Sequence, residues 1–176
     1  MAFVTILKFL WLPIVIGLVF LVYFTTNPNS KKKKLKSLQL TQPEQYQVAG
    51  VSYHQDAVRF LLKESADWNK TGEQLVKEGK VGRKIYRYEA LHAYADLQPE
   101  PENQQDKNAI KVIISGQHIG YIGQSENIRV GSILRDPSPK RVLANVYGGD
   151  YKVVSSDGEE TKLESTIGAI VTIEPA

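Results

Sequence analysis

The sequence contains no cysteine. That excludes disulfide cross-links, cysteine zinc ligands, iron–sulfur clusters and a thiol nucleophile. Histidine is scarce, and His54, His92 and His118 lack the spacing of a helical metal site. Neither a G-x-S-x-G elbow nor a G-x-x-x-x-G-K-[ST] phosphate loop occurs. Gly116, Gly120 and Gly123 fall within an expected hairpin, not between a strand and a helix, so a dinucleotide loop fails its context test. The acidic residues form no D-x-D-x-D-G loop, and Asp157-Gly158-Glu159-Glu160 reads as a solvated turn. These absences point to a binding module rather than an enzyme, and they imply neither metal nor cofactor.

Acidic residues are also missing from residues 1–36, which hold six of the chain's 22 basic residues. Residues 37–176 therefore carry 16 basic against 19 acidic residues, net −3, although the whole chain is +3. The basic character belongs to the N-terminal flank, and a polybasic mode of nucleic-acid binding by the remainder is excluded.

Residues 2–24 are apolar apart from Lys8 and Thr5, with Pro13 inside the run. At 1.5 Å per residue such a helix spans about 34 Å, enough for a hydrocarbon core of about 30 Å. A cleaved signal peptide is disfavoured, because no basic residue precedes Lys8 and no small-residue cleavage pattern follows. A buried core helix is disfavoured because the run is apolar on every face. The expectation is a retained single-pass transmembrane helix over 2–24, followed by a basic juxtamembrane linker over 25–45. Lys31, Lys32, Lys33, Lys34 and Lys36 flank its C-terminal side. They place the rest of the chain in the cytoplasm, at the face of the cell membrane, and in reach of anionic headgroups.

The folded domain is expected over 46–176, about the size of one domain. Residues 46–54 read as a strand with a bend at Gly50, and 56–65 as a helix from the spacing of Ala57, Phe60 and Leu61. Thr71 and Gln74 form a capping-box pattern for a helix that stops at Gly79. Residues 83–97 read as one long or bent strand, with Tyr86, Tyr88, His92 and Tyr94 on one face. Residues 109–115 and 118–123 form a hairpin, and 125–136 a helix capped by Ser125. Residues 140–149 and 151–156 form a second hairpin through Gly148-Gly149-Asp150, and 165–175 a last strand. The pattern is α+β: five to seven strands and two or three short helices, in a strongly curved sheet or small barrel.

The most distinctive stretch is Glu100-Pro-Glu-Asn103-Gln-Gln-Asp106-Lys-Asn108-Ala109-Ile110-Lys-Val112, followed by His118-Ile-Gly120-Tyr121-Ile122 and preceded by Val48-Ala-Gly50-Val-Ser-Tyr53. In order and spacing this resembles the HIRAN domain family. The resemblance implies a compact β-barrel similar to OB- or SH3-like folds. It also implies recognition of the 3′ end of single-stranded DNA, as in eukaryotic remodelling helicases. By position Tyr53 would stack on a base and Asp106 would accept a hydrogen bond from the terminal hydroxyl. The site would include Ser52, Gln105 and Tyr121. Those DNA binders carry arginine at the place of Ser52, an aromatic at Gln105, lysine at Gln124 and histidine at Tyr121. Two cationic positions and one stacking platform are thus absent here. Lys107, Arg129 and Arg135 are the nearby cations that could compensate.

Each residue also has a plainer reading. Asn103 and Asp106 could simply cap their loop, Tyr53 and Tyr121 could be half-buried sheet aromatics, and Gly50 and Gly120 could serve backbone geometry. Two functions stay open at this stage: a membrane-anchored reader of nucleic-acid ends, and a module that binds an unidentified protein or peptide in the same groove.

Overall fold

The computed structural model describes residues 37–176. The apolar run at 2–24 and the lysines Lys31–Lys36 lie outside them. Among the described residues no helix is long and apolar enough to cross a membrane. Packing begins earlier than the expected domain start. The Leu38 N–H donates to the Ser132 carbonyl at 3.0 Å, and Leu40 is buried in the core.

The elements are β1 (Glu44–Ala49), α1 (Gln55–Leu61), α2 (Gly72–Lys77), β2 (Lys84–Tyr86), β3 (Leu91–Tyr94), β4 (Asp96–Pro99), β5 (Ile110–Ile114), β6 (Gln117–Ile122), α3 (Asn127–Leu134), β7 (Lys140–Gly148), β8 (Tyr151–Val154), β9 (Glu160–Leu163) and β10 (Ile167–Pro175). Seven strands form one antiparallel sheet in the order β3-β7-β10-β1-β6-β5-β4, and β2, β8 and β9 form a second. The two edges of the large sheet, β3 and β4, are separated in sequence by Ala95 alone. The sheet must therefore curl until its edges approach, yet β3 and β4 do not pair. It is a half-barrel with open edges: the strongly curved sheet expected from the pattern, short of a closed barrel. β1 makes the curl possible by changing partner: Glu44–Gln47 pair with β10, and Val48 and Ala49 with β6.

The core follows from strict alternation. Ile167, Ala169, Val171 and Ile173 of β10 point inward, as do Ile110, Val112 and Ile114 of β5. Val58 of α1 and Val130 and Ile133 of α3 close over this face. Each fully buried aliphatic side chain contributes about 1.5–3 kcal/mol. A satellite core of Leu75, Ile85 and Val154 lies under the small sheet. Thr71 caps α2 as the sequence predicts: its N–H donates to Gln74 Oε1 at 2.9 Å, and its Oγ1 accepts from the Gln74 N–H at 3.3 Å.

Four expectations need correction. The strand over 46–54 ends at Ala49, because Gly50 takes φ +74° and turns the chain into a 3-10 turn over Val51–His54. The long strand over 83–97 is three strands. Between β2 and β3 the Arg87 and Glu89 amides donate to the Asp150 and Lys63 carbonyls, which pulls the chain out of any continuous ladder. Residues 140–149 and 151–156 do not pair with each other. Gly148 and Gly149, at φ +86° and +87°, swing the chain from the large sheet into the small one. Finally, α3 is preceded by Glu126, not Ser125, as its N-cap, and without a side-chain cap.

Candidate functional site

The site is built on the loop Pro99–Ala109 between β4 and β5. Asn103 organises it. Its Oδ1 accepts the N–H groups of both Gln105 and Asp106 at 3.0 Å, a side-chain mimic of a backbone turn. Its Nδ2 donates to Glu100 Oε2 at 2.8 Å. Glu100 is a hub: Lys111 Nζ lies 2.5 Å from Oε1, and the Tyr121 hydroxyl donates to Oε2 at 3.0 Å. The hydrogen bond from Lys111, helped by Asn103 and Tyr121, holds the Glu100 carboxyl down at about 2. Burial and the Glu100 charge push the Tyr121 phenol up.

Asp106 completes the loop. Its carbonyl accepts the Ala109 N–H, and its Oδ1 accepts the Asn108 N–H at 2.8 Å. Its Oδ2 accepts from Asn127 Nδ2 at 2.7 Å, across from the first turn of α3. A cavity of about 300 Å³ opens beside these groups. Asn103, Gln105, Asp106, Gln124 and Asn127 supply its polar lining; Ala49, Ala109, Tyr121 and Ile122 supply the apolar part. Asp106 is therefore a loop cap and also a wall of a cavity. A carboxylate has about four acceptor positions, so two donors leave room for a ligand.

The structure brings together Asp106, Gln105 and Tyr121 of the expected site. Tyr53 and Ser52 do not line the cavity; they occupy the 3-10 turn that follows Ala49. Tyr53 is 90% exposed, so it is not a half-buried sheet aromatic. Its N–H donates to the Gly50 carbonyl at 2.9 Å, which fixes the turn. The turn packs so closely on β6 that a Cβ at Gly120 would stand 2.5 Å from the Ala49 carbonyl. Only glycine fits there.

The nearby cations compensate little. Arg129 donates through Nε at 2.8 Å and Nη2 at 2.5 Å to Glu44, which also takes the Tyr46 hydroxyl. This pairing pulls the Glu44 carboxyl down, while burial first and Glu44 second push the Tyr46 phenol up to about 12. Arg129 lines a separate cleft with Glu44, Gln45 and Ser125. Arg135 donates to Ser132 Oγ at 2.9 Å, and Lys111 belongs to Glu100. Lys107, next to Asp106, is exposed.

Two features escaped the sequence reading. The His54 and His118 rings lie 4.3 Å apart, tilted by 49°, and His118 meets the Tyr121 ring edge-on at 4.7 Å. His118 Nε2 donates to the Gly120 carbonyl at 3.0 Å, and burial pushes its imidazole below the ordinary value. Glu100 and Asn127 are the other omissions. Glu100 was visible as part of a motif, but its partners Tyr121 and Asn103 converge only in the fold.

A family model for the HIRAN domain matches residues 44–151, more than half of the chain. The chain belongs to the HIRAN domain family. The match spans the turn of Tyr53, the Glu100–Asp106 loop, β6 and α3. Among solved structures, the HIRAN domain of human HLTF is similar at 16% identity and a TM-score of 0.34, covering 76% of this chain and 77% of that one. A protein from Lactobacillus plantarum is similar at 20% identity and a TM-score of 0.34, covering 74% of this chain and 92% of that one. A comparison with curated proteins gives no match. Within this HIRAN domain, no group of three or more His, Asp or Glu side chains could hold a metal ion among the described residues.

Proposed function

We propose that this HIRAN domain is a non-enzymatic module that binds single-stranded DNA at its 3′ end. Asp106 accepts the terminal hydroxyl and Tyr53 offers a stacking face. The observation that carries this reading is the pinned Asp106 carboxylate on a small cavity whose other polar groups are amides. An acceptor-only group takes a hydroxyl and repels a terminal phosphate. The exposed Tyr53 ring suits base stacking, which is worth about 1–3 kcal/mol per base and tolerates any sequence. Because most cations nearby are already paired, backbone contacts are few and the salt dependence is shallow. In the same proposal, residues 2–24 anchor the chain in the cell membrane, and the lysines at 31–36 keep the domain at its cytoplasmic face.

The test is fluorescence anisotropy on the full chain in mild detergent, with a short single strand ending in a 3′ hydroxyl or a 3′ phosphate. The hydroxyl end should bind about tenfold more tightly, as expected for one hydrogen bond to a charged acceptor. Asp106→Asn should erase the preference, and Tyr53→Ala should weaken both strands alike. Equal binding of the two ends, or none at tens of micromolar, sinks the proposal and turns attention to a protein partner in the same cavity.

A further inference from the structure

We propose that Asn127 is the positioning residue of this site: from the first turn of α3 it locks the Asp106 carboxylate in one orientation and thereby sets its selectivity between chain ends. The inference rests on the reading of Asp106 as the end acceptor.

Asn127 is one of two buried polar or charged side chains among the described residues, at 4% exposure, and it lines the cavity. Its Nδ2 donates to Asp106 Oδ2 at 2.7 Å, a short bond for an amide and a carboxylate. The loop itself holds only the other oxygen, through the Asn108 N–H. One donor allows a carboxylate to pivot about it. Two donors from different elements fix its plane, so the remaining acceptor positions keep one direction.

The amide's other half shows what this arrangement costs. Asn127 Oδ1 is buried and has no hydrogen-bond partner. Flipping the amide would not help, because it would set an acceptor against the Asp106 carboxylate. A buried acceptor left unpaired costs about 1–3 kcal/mol. Asn145 Oδ1 is likewise buried and unpaired; what sets Asn127 apart is that its amide nitrogen is directed at the cavity carboxylate. The same amide thus leaves its carbonyl unpaired while its nitrogen donates to Asp106. The link also ties the loop after β4 to α3, two segments that share no ladder hydrogen bonds.

Without the amide, Asp106 retains a charge and the Asn108 N–H but is free to turn. Selectivity should then fall before affinity, because stacking on Tyr53 does not depend on the carboxylate plane. Asn127→Ala should reduce the preference for the hydroxyl end by about threefold, part of the roughly tenfold that Asp106→Asn erases, because the acceptor is still present but no longer aimed. Affinity for the phosphate-ended strand should change less than about twofold. Asn127→Asp replaces the donor by a second carboxylate, and two carboxylates in contact cannot both ionise. Their shared proton would restore the bridge, so the preference should return as pH is lowered from 8 to 5. The other charged groups around the pair are the same in every variant: Glu100 paired with Lys111, Glu102, the exposed Lys107, Glu126, Arg129 paired with Glu44, and His118 behind Tyr121. A merely structural role predicts no such pH-dependent rescue.

The experiment is the two-strand anisotropy titration on the full chain and both variants across that pH range. Amide hydrogen exchange at Asn108 is measured on the same samples. In Asn127→Ala the Asn108 amide should exchange about tenfold faster, since its acceptor is no longer held. Full end preference in a folded Asn127→Ala, or a preference in Asn127→Asp that ignores pH, overturns the selectivity role. Unchanged exchange at Asn108 overturns the positioning itself. If the unaltered chain binds neither strand, DNA-end reading fails and the selectivity role with it. Faster exchange at Asn108 would then still assign Asn127 as the holder of Asp106.

Discussion

The two sheets of this small domain place their cations differently. Around the cavity of the large sheet, Lys111 is held by Glu100 and Arg129 by Glu44, Arg135 donates to Ser132, and Lys107 is exposed. In the small sheet the cations also lie on aromatic rings, with Lys152 bound to Glu160 as well. Lys84 sits 4.5 Å above Tyr151, and Lys152 and Lys162 sit 5.7 and 5.8 Å from Trp68. A domain of net charge −3 thus leaves Lys107 as the exposed cation beside Asp106, where a phosphate backbone would arrive. Hydrogen bonding and stacking, rather than counterion release, are left to determine what binds.

The sharpest way to break the contrast is Lys152→Ala. Lys152 is 1% exposed, and its ammonium donates to the Lys70 carbonyl at 2.6 Å and to Glu160 at 3.2 Å. Its loss removes a buried stem and strands two acceptors, so denaturant unfolding should show a destabilisation of about 3–5 kcal/mol. Lys152→Met keeps the stem and should lose only about 1–3 kcal/mol. If the small sheet is purely structural, binding at the cavity is unaffected in the folded fraction of both variants.

That contrast also explains what could be read in advance. The capping box at Thr71, the β5–β6 hairpin and the core of β10 rest on local spacing, and local spacing is written in the chain. The hairpin turns at Ser115 and Gly116, both at positive φ, as a two-residue connection requires. The glycine pair Gly148-Gly149 misled, because such a pair can close a hairpin or release a strand into another sheet. β9 was missed since Glu160–Leu163 has no apolar alternation to mark it. In the site, Asp106 and Tyr121 were legible through their motif. Asn127 was not, because it lies 21 positions from Asp106 in an unremarkable first helical turn, and only the packing of α3 on the loop joins them.

On the cavity side the next largest effect falls on Glu100. Its folded value near 2 lies below the ordinary 4.5. For a carboxyl lowered in this way, the stabilisation is complete above the ordinary value and disappears as pH falls toward 2. The Asn103 side-chain amide signals should therefore hold their native positions from pH 6 to about 3.5, and collapse only below. Glu100→Gln should weaken the Lys111 pair and loosen Asn103. The preference for a hydroxyl end should fall several-fold, while Lys84 or Lys162 substitutions leave it unchanged.

His118 predicts a smaller effect of the same sign, shifted to higher pH. Burial chiefly, and the neighbouring His54, keep its imidazole neutral below the ordinary value of 6.5. The unfolded chain takes up the proton first, so stability should decline as pH falls from about 7 to 5. His118→Phe, which keeps the ring against Tyr121, should flatten that part of the pH–stability curve. An unchanged slope would mean that the imidazole is open to protons in the folded state.

The smallest expected effect probes the comparison most directly. Lys84 and Tyr86 share the outer face of the small sheet with Tyr151, and the two tyrosine rings lie 5.6 Å apart. An exposed cation over a ring is worth about 0.5–1 kcal/mol. Lys84→Ala should therefore lower stability by about 0.5 kcal/mol, and the loss should vanish when Tyr151 is already leucine. DNA affinity should be the same in all four proteins of that cycle. A drop in affinity that tracks Lys84 would show that the strand continues from the cavity onto this face, with stacking on Tyr86 and Tyr151 and a phosphate on the lysine. The separation of charge between the two sheets would then be a division of labour along one ligand, not a division between binding and structure.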